Sequence, residues 1–430
     1  MKKFTLLFVL SLFLFSLSDA QTRSILKSSK LVEAAPESAG ISAERLARID
    51  KMCEEEVAKG NLPGIVSLVA RNGKIVHWKA YGVANENGDE MKRDAIFRIA
   101  SQTKAITSTA VMMLWEEGKF QLDDPISKYI PEFKNQQVLT NFRYSDTTWT
   151  GVPVKNEITV RHLLTHTSGI GYGIIDSDER FKMLYQKAGV TDLFTTKNIT
   201  IKESVKNLAK MPLHCEPGTQ YRYCEGLDVL GYFIEVVSGM PFDQYLKIHI
   251  FDPLGMEDTW FYQPEKNIDR VVDVLQVVNG EWQKYPVTFY DADYPVKGAK
   301  TFFSGGAGLS STAKDYAIFL QMYLNGGEYN GIRLLSRTTV DVILSNQIGD
   351  LWVDSDSKYG LAFGLLTAKG ESKGGMGSEG TFSWGGYFNT QYFADPGENV
   401  IGIILKQTQG PVNDVTGWKF GQLVFQAIDD

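Results

Sequence analysis

The chain has 430 residues, 43% of them hydrophobic, and a formal net charge of −7. The acidic balance, with no basic patch interleaved with aromatics, argues against nucleic acid as a partner, and five histidines are hard to assemble into a catalytic metal cluster. Three cysteines are too few for a disulfide scaffold, and their odd number leaves at least one thiol unpaired within the chain.

Met1–Ala20 (MKKFTLLFVLSLFLFSLSDA) reads as a secretory signal peptide. Two lysines precede an apolar run too short to span a membrane comfortably, and Ser18-Asp19-Ala20 supplies small residues for cleavage. This predicts a periplasmic or secreted protein without a stable membrane anchor. Residues 21–36 read as a polar leader, with disorder expected. Ile41–Lys59 is predicted as a helix capped by Ser42, with Leu46, Ile49, Cys53 and Val57 on its apolar stripe. Ile65–Ala70 and Lys74–Tyr81 are predicted strands, joined at Asn72-Gly73. Ile96–Ile99 is a short strand leading to Ser101, where a core helix begins that Gly118 ends. A turn into a short helix follows over Leu122–Tyr129, then a helix over Ile158–Thr167 capped by Thr159. Gly171–Asn198 has weak periodicity and reads as a helical excursion plus loop. Ile201–Lys210, capped by Thr200, Leu227–Ser238 and Phe242–Ile250 complete a middle region without long alternating runs. Alternation returns in Val271–Val278 and Trp282–Phe289, and Gly305-Gly306 mark a tight turn. Thr312–Tyr323 and Ser336–Leu344 are helices; Tyr359–Leu366, Thr381–Ala394 and Val400–Leu405 are strands; Val415–Ile428 is a closing helix. Strands at both ends and helices between predict an α+β fold. An antiparallel sheet built from residues 37–117 and 301–430 is flanked by helices, and 118–300 form an inserted, mainly helical subdomain. The cleft between the two is the expected site.

Ser101-Gln102-Thr103-Lys104 places a serine and a lysine on one face of a first helical turn. Ala105, Val111, Met112, Leu114 and Trp115 would bury the rest of that helix and fix both groups. A lysine at this range accepts the serine proton when burial or a neighbouring cation disfavours its charged form. The Ser101 N–H, free in a first turn, would face a developing oxyanion. The bland alternative is an N-cap serine beside a solvated lysine. Tyr223, or Tyr221 before it, would relay the proton if it stood beside Lys104; otherwise it packs on the following helix. Ser383-Trp384-Gly385-Gly386-Tyr387 is expected inside a strand, where paired glycines signal close approach to the backbone, by a substrate or at a bulge. The Tyr387 N–H would then be the second oxyanion donor. His162 and His166 stand four apart but lack the glutamate of a zinc-protease helix, and cap or core roles are expected. The sequence carries no GxSxG elbow, phosphate-binding loop or dinucleotide fingerprint, so neither metal nor cofactor is expected. The spacing of Cys215 and Cys224 leaves a bond between them open.

Taken together, FRIASQTKAIT, LDDPISKYIP, HLLTHTSGI, PGTQYRYCEGLDVLG, DPLGMEDTWF, GGAGLSSTAKDYAIF and FSWGGYFNT resemble the serine β-lactamase and penicillin-binding-protein superfamily. The likeness is nearest to its class C, DD-peptidase and family VIII carboxylesterase branch, and it runs from Ile41 to the C-terminus. It implies Ser101 as nucleophile, Lys104 as base, Tyr223 as proton relay, the N–H groups of Ser101 and Tyr387 as oxyanion hole, and Trp384, Gly385 and Gly386 against the substrate. Tyr223-Cys224-Glu225 lacks the asparagine frequent in this family. Trp384 stands where a lysine or histidine often grips a carboxylate, as in the family VIII esterases. The resemblance therefore implies a carboxylesterase acting on a small acyl ester or amide, with acyl transfer to a bulky alcohol as an expectation from the aromatics on predicted cleft segments, Trp260, Phe261, Tyr262, Tyr285, Phe289, Tyr290, Tyr294 and Tyr387. A D-amino-acid or cell-wall peptidase, a β-lactamase and, more distantly, a non-catalytic binder of cell-wall fragments are the alternatives. The sequence names no oligomeric state.

Overall fold

A computed structural model describes residues 22–352, 355–374, 376–410 and 414–430. The expected signal peptide and Gln21 lie outside the described residues. Eight strands form the central sheet: β1 (Val32–Glu33), β2 (Gly64–Arg71), β3 (Lys74–Gly82), β4 (Ser357–Tyr359), β5 (Gly364–Leu366), β6 (Phe382–Gly386), β7 (Thr390–Asp395) and β8 (Val400–Leu405). Their spatial order is β4-β5-β6-β7-β8-β2-β3-β1, so the two ends of the chain join where β8 pairs with β2. Asn72 (φ 52°) and Gly73 (φ 74°) make the tight turn between β2 and β3, as the Asn-Gly pair predicts. All eight residues of β2 are buried. Ile65 and Val69 point to one face and Val66, Leu68 and Ala70 to the other, because side chains alternate along a strand.

Helices cover both faces. The longer helices are α1 (Ala43–Ala58), α2 (Thr103–Glu116), α3 (Glu179–Ala188), α4 (Ile201–Leu208), α5 (Gly226–Ser238), α6 (Ala313–Leu324) and α7 (Thr416–Phe425); α1, α6 and α7 lie on the sheet, and α3, α4 and α5 belong to the inserted subdomain. The Ser42 hydroxyl accepts the Arg45 N–H and starts α1; Thr200 and Glu203 form a reciprocal cap on α4. Ile49 and Cys53 of α1 pack with Phe420 and Val424 of α7 on one face. Tyr316, Phe319 and Leu320 of α6 pack on the other. Between α6 and the helical subdomain runs α2, buried from Thr103 to Leu114. A helix buried on every side has to satisfy its hydroxyls internally. Thr107 donates to Gly305 O (2.7 Å), Ser108 to Leu361 O (2.9 Å) and Thr109 to Ala105 O (2.8 Å).

Several expectations are corrected. The sheet is antiparallel except for β1 on β3, which is parallel. From β1 the chain passes through α1 and β2 before it reaches β3, the long connection that a parallel pair requires. The leader is thus not disordered throughout: Leu31 N–H donates to Tyr329 Oη (2.9 Å) and Ala34 N–H to Ile75 O (2.9 Å). The middle region holds a hairpin, Gln137–Arg143 with Thr148–Pro153. Its residues alternate poorly because much of it stands in solvent on both faces. Tyr359–Leu366 and Thr381–Ala394 are each two strands around a turn, with Ala362 (φ 70°) and Asn389 (φ 66°) in the left-handed region. Leu122–Tyr129 keeps only a single 3₁₀ turn at Ile126–Lys128. The strands expected over 271–289 shorten to Leu275–Val278 and Glu281–Lys284. All three cysteines are free and buried. Among the described residues no helix is long and apolar enough to cross a membrane.

Candidate active site

The helix predicted to start at Ser101 begins two residues later; a 3₁₀ turn, Ala100–Gln102, leads into it. Ala100 is buried at φ 44°, a conformation that costs a side chain about 1 kcal/mol or more. Neighbours hold this turn rigidly. Phe97–Arg98 pair with Ser310–Ser311, Ile99 N–H donates to Leu309 O (3.0 Å), and Tyr316 Oη donates to Gln102 O (3.0 Å). Ser101 is left partly exposed, second in the turn, where backbone N–H groups have no partner inside the helix.

Lys104 is fully buried. Its Nζ donates to Ser101 Oγ (3.2 Å), Tyr172 Oη (3.1 Å) and Gly306 O (2.7 Å), three neutral oxygens. The Gly305-Gly306 turn is itself clamped. Asp228 Oδ1 accepts from Gly306 N–H (3.0 Å) and from Ser304 Oγ (2.6 Å), and a Cβ on Gly305 would lie 2.3 Å from Leu227 O. Burial raises the Asp228 carboxyl above its ordinary range.

Tyr223 meets Lys104 through its ring, whose centre is 4.6 Å from Nζ. Its hydroxyl accepts from Trp384 Nε1 (3.4 Å). The phenol whose oxygen touches the lysine is Tyr172, which sequence reasoning missed. It lies in the aperiodic stretch after HTSG, and the available signal was its place between Gly171 and Gly173, where the chain can bend sharply. Burial first, then the charges of its neighbours, hold the Tyr172 hydroxyl protonated well above the usual phenol range. Behind Tyr223 sits His166. Its Nδ1 accepts the Cys224 N–H (3.2 Å), which puts the ring proton on Nε2, and the Tyr223 ring lies 4.5 Å from its centre. Burial, then the Lys104 charge, pushes His166 well below the ordinary imidazole range, and burial lifts the Cys224 thiol to about 11. His162 instead completes the Thr159 cap.

The Trp384-Gly385-Gly386 strand runs past the Ser101 turn. A Cβ on Gly386 would lie 2.5 Å from Ile99 O, whereas one on Gly385 would meet nothing closer than 3.3 Å. β6 ends at Gly386, so Tyr387 opens a turn instead of continuing the strand as expected. Its hydroxyl accepts from Gln409 Nε2 (2.8 Å). Of the aromatics expected at the cleft, Tyr262, Tyr285, Tyr290, Tyr294 and Tyr387 gather around Ala100, joined by the unforeseen Phe194 and Phe388. Phe289 reaches them through Tyr290, at 4.7 Å between ring centres. Phe261 packs instead with Phe242 and Phe303, and Trp260 Nε1 donates to Glu257 O (2.9 Å). The wall is anchored by Arg98, 1% exposed, which donates to Ala292 O and to Val272 O (2.5 Å).

A family model described as Beta-lactamase matches residues 49–424. The chain belongs to the beta-lactamase family. Among curated relatives, esterase EstB of Burkholderia gladioli is 30% identical over 385 residues, covering 85% of this chain and 91% of EstB. N-acetylmuramyl-L-alanine amidase of Bacillus subtilis is 28% identical over 440 residues, covering 96% of this chain and 91% of the amidase. Among solved structures, EstCE1, described as a hydrolase with promiscuous acyltransferase activity, superposes with a TM-score of 0.76 at 25% identity, over 89% of this chain and 99% of EstCE1. The chain is a serine-hydrolase-type enzyme with the fold of the esterase and acyltransferase branch of this beta-lactamase family. Glu225, two residues beyond Tyr223, is 1% exposed and turned to the backbone, where it accepts from Gly173 N–H (3.1 Å).

Proposed function

We propose that this chain is an exported carboxylesterase that works through an acyl-Ser101 intermediate and releases the acyl group to water or to a bulky apolar alcohol. The observation that carries the reading is the continuous chain of Ser101 Oγ, Lys104 Nζ and Tyr172 Oη, with contacts of 3.2 and 3.1 Å. With Lys104 as the neutral amine, its lone pair turned to Ser101, Ser101 Oγ attacks the acyl carbon as its proton passes to Lys104 Nζ. The carbonyl oxygen takes the negative charge and is received by the N–H groups of Ser101 and Tyr387. The proton moves on to the leaving alkoxide through Tyr172 or Tyr223 as the ester C–O bond breaks. In the second half, water or an alcohol gives its proton back along the same path, and its oxygen displaces Ser101 Oγ.

An ester is favoured over a peptide because Trp384, committed to the Tyr223 hydroxyl, stands where a cation would hold a carboxylate, and Glu225 faces away. Room for an acceptor is offered by a cavity of about 540 Å³ that Ile174, Val190, Phe194, Val287, Phe289 and Tyr290 line together with the charged Lys182, Asp192, Lys197 and Asp291; it borders the site through Phe194 and Tyr290, which pack with Ala100, and Val287 and Phe289 are exposed apolar residues at its edge. A bound acceptor competes with water because effective molarities reach roughly 10⁵ M or more. Met1–Ala20 supports export to the periplasm or the medium. The likeness to an amidase favours a second reading, turnover of cell-wall peptides. The test is a substrate profile over p-nitrophenyl acyl esters, D-alanyl peptides and a chromogenic cephalosporin, with and without a sterol-like alcohol. Ester turnover should exceed the others in kcat/KM, and the alcohol should yield a transfer ester by mass spectrometry. Faster peptide turnover would reverse the ranking, and free acid alone at every alcohol concentration would remove the transfer.

A further inference from the structure

Tyr172 reaches Lys104 because the backbone around it, Gly171–Ile174, is gripped from behind by carboxyl groups. Gly173 N–H donates both to Asp192 Oδ1 (3.1 Å) and to Glu225 Oε1 (3.1 Å), and Ile174 N–H donates to Asp192 Oδ2 (2.7 Å). In return, Glu225 N–H donates to Gly171 O (3.2 Å). Tyr172 N–H is taken by Asp176 Oδ2 (2.8 Å), which also faces His214 Nε2 (2.9 Å). The Asp192 carboxyl lies so close to the backbone that a Cβ on Gly173 would be 1.8 Å from its Oδ2. Every bond in this set fixes the stretch that carries the phenol, and none of them touches Ser101 or Lys104.

The Glu225 and Asp192 carboxyl groups converge on one donor, each with an oxygen 3.1 Å from the Gly173 nitrogen. Glu225 is buried and Asp192 is half-buried; with one of two converging carboxylates held out of water, a second negative charge is disfavoured, and one proton between them turns repulsion into a bond. The titratable groups facing Glu225 are Asp192 from the loop after α3, Asp228 on α5, Tyr185 on α3 and Tyr172 itself. None of these four is a cation that would stabilise a second negative charge. Burial, then the Asp192 charge, holds the Glu225 carboxyl well above the usual carboxylate range.

We infer that Glu225 is a positioning residue: sharing one proton with Asp192, it clamps the Gly173–Ile174 backbone and so sets the reach of Tyr172 Oη to Lys104 Nζ. The inference rests on the reading of Ser101, Lys104 and Tyr172 under Proposed function. Loss of the shared proton leaves two like charges against one N–H, and the stretch carrying Tyr172 relaxes away from the lysine.

A double-mutant cycle tests it. Parent, Tyr172→Phe, Glu225→Met and the double variant are assayed for kcat and KM on p-nitrophenyl acetate, with Ser101→Ala as control. Each single variant should lower kcat by about 10- to 100-fold with little change in KM, since small displacements of reacting groups cost that much. The double variant should be no slower than Tyr172→Phe alone, because the two changes remove the same interaction. Additive losses would overturn the inference. So would parent-level kcat in Tyr172→Phe, and in that case an inactive Ser101→Ala protein would leave the acyl-serine reading standing. An active Ser101→Ala protein would overturn that reading and the inference with it. Glu225→Gln guards against a Glu225→Met protein that fails to fold. Its amide keeps an acceptor for Gly173 N–H and a donor for Asp192, with no proton to lose. It should hold kcat within about 2-fold of the parent at neutral pH, the ordinary scatter of a conserved contact, and keep that rate at alkaline pH where the parent declines. A kcat as low as that of Tyr172→Phe, or an unchanged alkaline decline, would overturn the shared proton.

Discussion

Gly386→Ala is the most informative small change in the cleft. The added methyl would lie 2.2 Å from Thr390 Oγ1, 2.5 Å from Ile99 O and 3.2 Å from Ile99 C. The Thr390 hydroxyl is buried without a hydrogen-bond partner, so it can rotate away at little cost. Ile99 O cannot, because it is backbone and the turn that follows is held by Leu309 and Tyr316. Bringing that contact to an ordinary separation moves β6 and the nucleophile turn apart by about 1 Å, a displacement that costs reacting groups roughly 100-fold. Overpacking adds about 1–3 kcal/mol of lost stability. Stopped-flow hydrolysis of p-nitrophenyl acetate should show kcat reduced by that order with KM nearly unchanged, and differential scanning fluorimetry a lower Tm. Gly385→Ala is the matched control, because its methyl would have 3.3 Å to the nearest atom, and it should lose much less. A Gly386→Ala enzyme with parent kcat and Tm would refute the reasoning, since the strand would then have room that these distances deny it.

Lys104→Ala should lower kcat by about 100-fold or more, the usual share of a general base, and Tyr172→Phe should cost more than Tyr223→Phe because only the Tyr172 oxygen contacts Nζ; the reverse order in steady-state kinetics would return the relay to Tyr223. Burial, with the Asp50 carboxylate opposing it and the Lys79 charge adding to it, holds His77 down to about 4. The unfolded chain therefore takes up this proton near pH 6.5 and the folded chain does not, so stability falls as pH drops from about 6.5 to 4, by about 3 kcal/mol in all. Burial raises Asp315 to about 7, which works in the opposite sense, so the measurement is the difference in urea unfolding between parent and His77→Gln across that window, and equal pH slopes would contradict it. Lys406 is fully buried against Asp414 and Thr416 Oγ1 (2.9 Å); Lys406→Met should cost about 3–5 kcal/mol in urea unfolding by stranding the Asp414 charge, and a neutral result would show that the carboxylate reaches water.

Local chemistry was legible in the sequence where one residue type decides an outcome. The caps Ser42, Thr159 and Thr200, the Asn72-Gly73 turn and the wholly apolar Val400–Leu405 strand all form as read. The serine–lysine pair was legible because three residues of helix suffice to bring the side chains together. Features set by distant chain were not. The two late hairpins turn at Ala362 and Asn389 without a Gly or Pro at the turn residue itself to mark them, and the Gln137–Pro153 hairpin buries too little to show alternation. Tyr172 depends on Asp176, Asp192 and Glu225, which no spacing along the chain connects to Lys104. The start of α2 moved because the turn before it is fixed from outside, by Leu309 and Tyr316, and not by a cap of its own.

The most direct test of the account is to trap the intermediate. The enzyme is mixed with a slowly deacylating p-nitrophenyl ester, quenched in acid within the burst and digested for peptide mass mapping. The account predicts one acyl group per chain on the peptide that holds Ser101, its disappearance when water or an alcohol is given time to react, and its absence in Ser101→Ala. An acyl group on any other residue, or turnover without an acylated peptide at any quench time, would contradict it.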